Sequence, residues 1–148
     1  MSTLPQLQIR PFNFEDTAVV IAIWENVGLT RPWNNPTRDI ERKMQVAPEL
    51  FLVGHIDDKL VATVMGGYDG HRGWANYLAV DPSCQGHGYG RLIMSHLEEQ
   101  LLALGCPKLN LQVRGGNTAA LKFYEAAGYA QDDAISLGKR LISDEGSA

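Results

Sequence analysis

Three glycines at alternate positions, Gly86, Gly88 and Gly90, lie between an apolar run ending at Val80 and a helical pattern carried by Leu92, Ile93 and Leu97. The whole stretch, Leu78 to Arg91, reads as strand, glycine loop and helix start. Glycine lets backbone N–H groups approach an anion with no Cβ in the way. The unpaired N–H groups and the dipole of a first helical turn favour negative charge at the same place. The chemistry such a loop suits is the holding of phosphate. The spacing is not the dinucleotide fingerprint, because Arg91 stands where its third glycine belongs, and no Gly-Lys-Ser/Thr follows for a P-loop. On this stretch alone, an ordinary strand-to-helix turn with extra glycines is the alternative.

Two other groups of residues carry chemistry. His71 has an intrinsic pKa near ~6.5 and could move a proton, or it is a solvated loop histidine. His55, His87 and His96 are scattered and imply no metal site. Arg31 and Trp33 fall in a loop, Leu29 to Asn35, where the indole either plugs a gap between helices or lines a substrate pocket.

Bulk properties narrow the classes. A chain of 148 residues is expected to form one domain, residues 1–148, with a real core. Hydrophobic content of 45% and charged content of 20% are those of a soluble globular protein. The formal charge of −4 offers no basic patch, so no nucleic-acid partner is expected. Cys84 and Cys106 make no disulfide framework, and Met1 to Pro5 show no signal peptide, so the expectation is cytoplasmic. No run approaches the ~20 apolar residues of a membrane helix, so no membrane partner is expected. The tail, Ser143 to Ala148, is polar and expected to fray.

The elements that must position these residues follow from periodicity. Leu7 to Arg10 alternates as a strand. Asn13 caps a helix with Val19, Val20, Ile23, Trp24 and Val27 as its apolar stripe, Trp24 in the core, and Gly28 as its stop. Asn35 caps a second helix with Pro36 in first position, Ile40, Met44 and Ala47 on one face, and Pro48 as its end. Leu50 to Ile56 and Leu60 to Met65 form a hairpin around Asp57-Asp58, and Gly66 to Gly73 reads as a mobile connection. Trp74 to Val80 is the central strand. The next helix buries Leu92, Ile93, Leu97, Leu101 and Leu104 and ends at Gly105. Leu109 to Val113 is a strand, and Asn117 caps a helix through Ala126, closed by Gly128. Tyr129–Gln131 and Ile135–Lys139 read as a final antiparallel pair. This order points to an α+β fold of three layers, with one parallel neighbour pair across the unit from Trp74 to Val113.

On these residues the chain resembles the GNAT superfamily of N-acetyltransferases, and within it a bacterial subgroup of small, mostly uncharacterised acetyltransferases. The family's acetyl-CoA signature, Gln/Arg-x-x-Gly-x-Gly/Ala after a strand, is matched by Gln85-Gly86-His87-Gly88-Tyr89-Gly90. A second element, Asn-x-x-Ala-x-x-x-Tyr-x-x-x-Gly-Phe/Tyr, is matched from Asn117 through Ala120 and Tyr124 to Gly128-Tyr129. The resemblance implies a three-layer α/β/α fold whose mixed, mostly antiparallel sheet splays at its centre. It implies acetyl-CoA as cosubstrate, without a metal. Its pantetheine would pair with the backbone of Leu78, Ala79 and Val80, and its pyrophosphate would rest on Gln85, Gly86, His87, Gly88, Tyr89, Gly90 and Arg91. Asn117, Ala120 and Tyr124 complete the implied cofactor site.

The implied reaction is acetyl transfer to a primary amine, by direct attack through a tetrahedral intermediate. The acceptor is a small molecule, or a protein N-terminus or lysine, and the chain acts as a monomer or homodimer. The Val80 N–H is the implied oxyanion donor. Tyr124 is the implied acid at the sulfur. It lies seven residues after Asn117, so it can share a helix face with Asn117 and Ala120; from position alone it could equally be a core tyrosine beside Phe123 and Tyr129. Trp33, Tyr68 and Asp69 are the expected acceptor-binding residues. Related enzymes often carry a glutamate where this chain has Gln112 or Trp74, and neither of these is a base. Glu25, Asp69 and His71 remain, acting through water. The missing glutamate leaves a competing expectation, a non-catalytic acyl-CoA-binding sensor module, which the presence of Tyr124 disfavours.

Overall fold

The structure, a computed structural model, describes residues 6–145. The leader reading of Met1 to Pro5 and the end of the tail, 146–148, lie outside the described residues. Five strands form one sheet in sequence order: β1 (Gln8–Pro11), β2 (Phe51–Ile56), β3 (Lys59–Tyr68), β4 (Gly73–Val80) and β5 (Leu109–Asn110). The first three pairings are antiparallel and β4–β5 is parallel, as the connection through a helix requires. The helices are α1 (Thr17–Asn26), α2 (Pro36–Lys43), α3 (Tyr89–Ala103) and α4 (Thr118–Ala126). The fold is α+β in three layers.

Strand alternation builds the layers. Phe51 and Val53 of β2 face one side, where they pack with Val20, Ile23 and Trp24 of α1 and Ile40 of α2. Leu52 faces the other side, with Val64 of β3 and with Ile93, Met94, Leu97 and Leu101 of α3. A sheet with two apolar faces needs a helix layer on each. Trp24 is fully buried, as its place in the apolar stripe predicts.

The helix starts follow their caps. Asn35 Oδ1 accepts from Arg38 N at 3.2 Å, and Asn117 Oδ1 accepts from Ala120 N at 3.1 Å. Asn13 opens a 3-10 turn, Phe14–Asp16, that runs into α1.

Several expectations are corrected. β3 runs on to Tyr68, because Gly66 and Gly67 pair with Ala75 and Trp74, so the connection to β4 shrinks to Asp69–Arg72. A Cβ on Gly66 would stand 2.3 Å from Leu97 Cδ1, so glycine here lets α3 lie close to the sheet. Leu50 belongs to a short 3-10 turn before β2. α2 ends at Lys43, and Ala47 takes a left-handed conformation (φ 49°) instead of lying on a helix face. On α3, Leu92 and Leu104 are exposed, and Tyr89 and Met94 take the buried positions. The core face follows 89, 93, 97 and 101, one residue around from Leu92.

The largest correction is at the C-terminal end. β5 is only Leu109–Asn110, and Tyr129–Gln131 and Ile135–Lys139 form no strands. Strand propensity is expressed only against a neighbour that offers a ladder, and β5 stops before one could form. Side-chain bonds hold this segment instead. Lys108 pairs with Asp132 at 2.8 Å, Gln112 donates to Ser136, and Arg140 donates to Asn34 at 2.9 Å. Asp144 is buried in an ionic cluster on α2, so the tail does not fray at that point.

Candidate active site

β4 carries an irregularity that shapes everything beside it. Ala79 pairs with Thr63 and Asn76 with Met65, so β4 spends one more residue than β3 across this interval. That is a β-bulge, and Tyr77 within it has φ 54°, a left-handed conformation uncommon for a tyrosine. The extra residue flips the alternation. Ala75 packs on the α3 side, Tyr77 on the α1–α2 side, and Leu78 and Val80 again on the α3 side.

Three contacts hold the bulge. Thr63 Oγ1 donates to Tyr77 O at 2.8 Å and accepts from Trp24 Nε1 at 2.9 Å. The Trp24 and Tyr77 rings stack at 3.8 Å. The Tyr77 hydroxyl donates to Asp39 Oδ2 at 2.6 Å. Burial and the neighbouring Asp39 carboxylate push the Tyr77 phenol well above its ordinary range, so it stays protonated and keeps donating.

Beyond the bulge, β4 has an open edge. β5 pairs only with Gly73 and Trp74, so the sheet is splayed from Ala75 onward. Asp81 N donates to Val61 O at 2.7 Å, toward β3. Alternation then turns the N–H and C=O of Val80 away from β3, into the splay. Gln85 Nε2 donates to Val80 O at 3.1 Å. The Asp81 carboxylate binds the Ser83 N–H at 2.9 Å and the Ser83 hydroxyl at 2.7 Å, which fixes the turn out of β4 and holds the acid below its usual pKa.

The open edge and the glycine loop enclose a cavity of about 510 Å³. Leu78, Ala79, Val80, Gln85, Gly86, Gly88, Tyr89, Gly90 and Arg91 line it, all expected cofactor-site residues. Cys84 and Phe123 line it as well. The three glycines differ in their reasons. Gly86 (φ 86°) and Gly88 (φ 83°) need the left-handed region, and a Cβ on either would meet nothing within 4 Å. Gly90 is in the first turn of α3, and its Cβ would stand 3.3 Å from Phe123 Cζ. It lets α4 approach α3.

The other expected residues are placed less directly. His87 does not line the cavity; its ring is tilted against Tyr89 at 5.7 Å. Asn117 and Ala120 bond to each other as the α4 cap. Tyr124 does not line the cavity either, and its neighbour Phe123 does. The Tyr124 ring meets Tyr129 edge-on at 5.7 Å and packs against the α3-side core. Its hydroxyl has no hydrogen-bond partner among the described residues, and burial raises its pKa. Phe123, one residue earlier and about 100° around the helix, is the side chain turned toward Gly90; the 3.6-residue period separates the two faces but does not say which of them meets the cavity.

Trp33, Tyr68 and Asp69 are not brought together. Trp33 lies beneath Arg114, whose guanidinium carbon is 5.6 Å from the ring centroid, and lines a second cavity with Arg42 and 138–142. Tyr68 packs on the α3 side and reaches Gly105 O at 3.4 Å. Asp69 Oδ1 accepts from His71 N at 2.8 Å and Arg72 N at 2.7 Å, which closes the β3–β4 turn and holds its carboxyl below the usual range. Glu25 and His71 are exposed, and Gln112 is occupied by Ser136. No group of three or more His, Cys, Asp or Glu that could hold a metal occurs among the described residues, and no described helix is long and apolar enough to cross a membrane.

Comparison with known proteins agrees with this geometry. The family model described as the acetyltransferase (GNAT) family matches residues 18–129. An uncharacterised N-acetyltransferase of Yersinia pestis is 50% identical over 139 residues, covering 94% of this chain and 99% of the relative. An acetyltransferase of Sodalis glossinidius is 49% identical over 140 residues, with the same coverage. Among solved structures, the aminoglycoside acetyltransferase AAC(6')-Iy, in complex with a bisubstrate analogue, superposes with a TM-score of 0.75 at 13% identity, over 93% of this chain and 99% of that one. The chain therefore belongs to the GNAT acetyltransferase family, as an N-acetyltransferase of class EC 2.3.1.-.

Proposed function

We propose that residues 1–148 form one cytoplasmic acyltransferase domain that moves an acetyl group from acetyl-CoA to a primary amine on a small molecule or peptide. The observation that carries the reading is the cavity between the open edge of β4 and the glycine loop. Its fit to an acetyl-CoA arm rests on two features. Gly86 and Gly88 leave open space over the loop where a side chain would stand. The Val80 N–H has no β5 partner to occupy it.

Acetyl-CoA supplies an acetyl thioester, and the amine attacks its carbonyl carbon directly. A C–N bond forms, the C–S bond breaks, and the amine proton ends on the thiol or on water. The Val80 N–H faces the developing oxyanion; one such donor contributes about 3 kcal/mol to a rate. The N–H groups from Gln85 to Arg91 hold the pyrophosphate at the start of α3. Tyr124 does not line the cavity but follows Phe123, which does, and its hydroxyl is the proposed hydrogen-bond donor to the departing sulfur. Its raised pKa makes full proton delivery to a thiolate less favourable than for an ordinary tyrosine, so a hydrogen bond, with water as proton source, fits better.

The amine must lose a proton before it attacks, and about one lysine-like amine in 10³ is neutral at pH 7. No carboxylate or histidine lines the cavity, which supports water as the carrier. Single replacements of Glu25, Asp69 and His71 are then expected to lower kcat/KM by less than ~10²-fold each.

The test is a calorimetric titration with acetyl-CoA, ATP and NAD, followed by thiol release with a panel of amines. Binding of acetyl-CoA alone, with thiol release on adding one class of amine, is the expected result. Acetyl-CoA binding without transfer to any amine would favour a sensor module.

A further inference from the structure

The second cavity, about 730 Å³, is lined by Trp33, Arg42, Lys139, Arg140, Leu141 and Ile142, together with Gly138. Three of these are cations and none is an acid. Behind them the Asp144 side chain is fully buried. Arg42 grips its carboxylate with both arms of the guanidinium, at 2.9 and 2.6 Å. Arg38 and Arg140 stand 3.6 Å from the same group. Asp39 is a second acid of the cluster, 3.5 Å from Arg42, and it also accepts the Tyr77 hydroxyl. Glu41 adds a third negative charge acting on Arg42. Among the described residues four cations, Arg38, Arg42, Lys139 and Arg140, thus face three carboxylates, Asp39, Glu41 and Asp144, in a chain of net charge −4. The three guanidiniums remain 40–45% exposed.

The planar fork of arginine matches a carboxylate or a phosphate, and here a carboxylate of the chain itself sits in it. A chain of contacts links the cluster to the strand that borders the acyl site: Arg42 contacts Asp39, Asp39 accepts from Tyr77, and Tyr77 precedes the cavity-lining Leu78 in β4.

We propose that this arginine-lined cavity binds an anionic group, carboxylate or phosphate, carried by the amine acceptor, and that Asp144 stands in for that group in its absence. The proposal rests on the N-acetyltransferase reading above and adds the acceptor's chemical class. Trp33, Leu141 and Ile142 give the remainder of the acceptor an apolar wall.

Calorimetric titration of the full chain with inorganic phosphate and with succinate reads the cluster without turnover. Asp144→Asn removes the competing charge and should bind both probes at least tenfold more tightly than the native chain. Adding Arg42→Gln should abolish that gain. Equal affinities for the native chain and Asp144→Asn, or no binding to either, overturn the proposal. Should Asp144→Asn fail to fold, the double variant Lys139→Gln, Arg140→Gln keeps the Arg42–Asp144 pair. It should bind phosphate at least tenfold more weakly than the native chain, and unchanged binding overturns the proposal.

A second arm assigns the anion to the acceptor. Thiol release is followed with amino acids, each beside its C-terminal amide. Asp144→Asn should lower KM at least tenfold for the acids and leave the amides unchanged; an equal response of acid and amide overturns the assignment to the acceptor. Absence of acetyl-CoA binding, with phosphate still bound, would instead fail the acetyltransferase reading and leave the anion site standing.

Discussion

The two cavities on either side of the β4 bulge are built from different materials. The one beside the glycine loop is made of backbone: two left-handed glycines, an unpaired strand edge and the first turn of α3. The one beneath the C-terminal segment is made of side-chain charge, drawn from α2 and from a segment about a hundred residues later. A backbone site is rigid because its donors cannot rotate, and it suits a ligand part that never changes. A side-chain site tolerates exchange of one anion for another and suits a part that varies between enzymes. Tyr77 touches both regions, with its main chain in the bulge and its hydroxyl on Asp39.

The largest expected effect breaks the rule that backbone alone makes the first cavity work. Tyr124→Phe keeps the ring packing against Tyr129 and removes one O–H. It should lower kcat by at least ~10²-fold, about 2.7 kcal/mol, and change acetyl-CoA affinity by less than about 1.4 kcal/mol. Stopped-flow thiol release with parallel calorimetry measures both. Full activity would return Tyr124 to the core and leave the site to the backbone.

Next in size is Thr63→Val, aimed at the border between the two regions. It strands the Trp24 indole N–H and the Tyr77 carbonyl in a buried place, at a cost of about 2 kcal/mol. Thermal unfolding should show a Tm lower by roughly 5 °C. If the bulge serves both cavities, phosphate and acetyl-CoA should both bind more weakly in this variant. Weakening of only one would assign the bulge to that side.

Gly88→Asp attacks the backbone site alone. It sets a side chain in left-handed backbone and a negative charge where phosphate is expected. Acetyl-CoA affinity should fall more than tenfold, about 1.4 kcal/mol, with phosphate binding at the arginine cluster unchanged. Unchanged acetyl-CoA affinity in a folded variant would remove the loop from the site.

The smallest effect is expected from pH. Arg42 holds the Asp144 carboxyl below its usual range. A depressed acid stabilises the fold above its unfolded value, near ~3.9, and loses that contribution as pH falls through the folded value. The protection factor for hydrogen exchange across 138–145, that is the intrinsic base-catalysed rate at each pH divided by the observed rate, should therefore be flat from about pH 5 to 8 and fall only in stronger acid. A fall near neutral pH would mean that the Arg42–Asp144 contact depends on some other group.

What the sequence determined by itself is the local and the periodic. Asn35 and Asn117 cap their helices because the capping bond spans three residues. The loop from Gln85 to Arg91 was readable because its glycines answer to local backbone geometry and lie together in the chain. The strand order and the parallel β4–β5 pair follow from hydrophobic alternation and the length of the connection. Tertiary structure decided the rest. Whether Ile135–Lys139 becomes a strand depends on a neighbour, and β5 stops too early to be one. Whether Phe123 or Tyr124 lines the cavity depends on how α4 is rotated against Gly90, which only packing sets. The pairing of Arg42 with Asp144 spans 102 residues, and neither residue carries a local mark of the other. Charge has no periodicity to reveal its partner; only the packed chain brings the two together and removes the water between them.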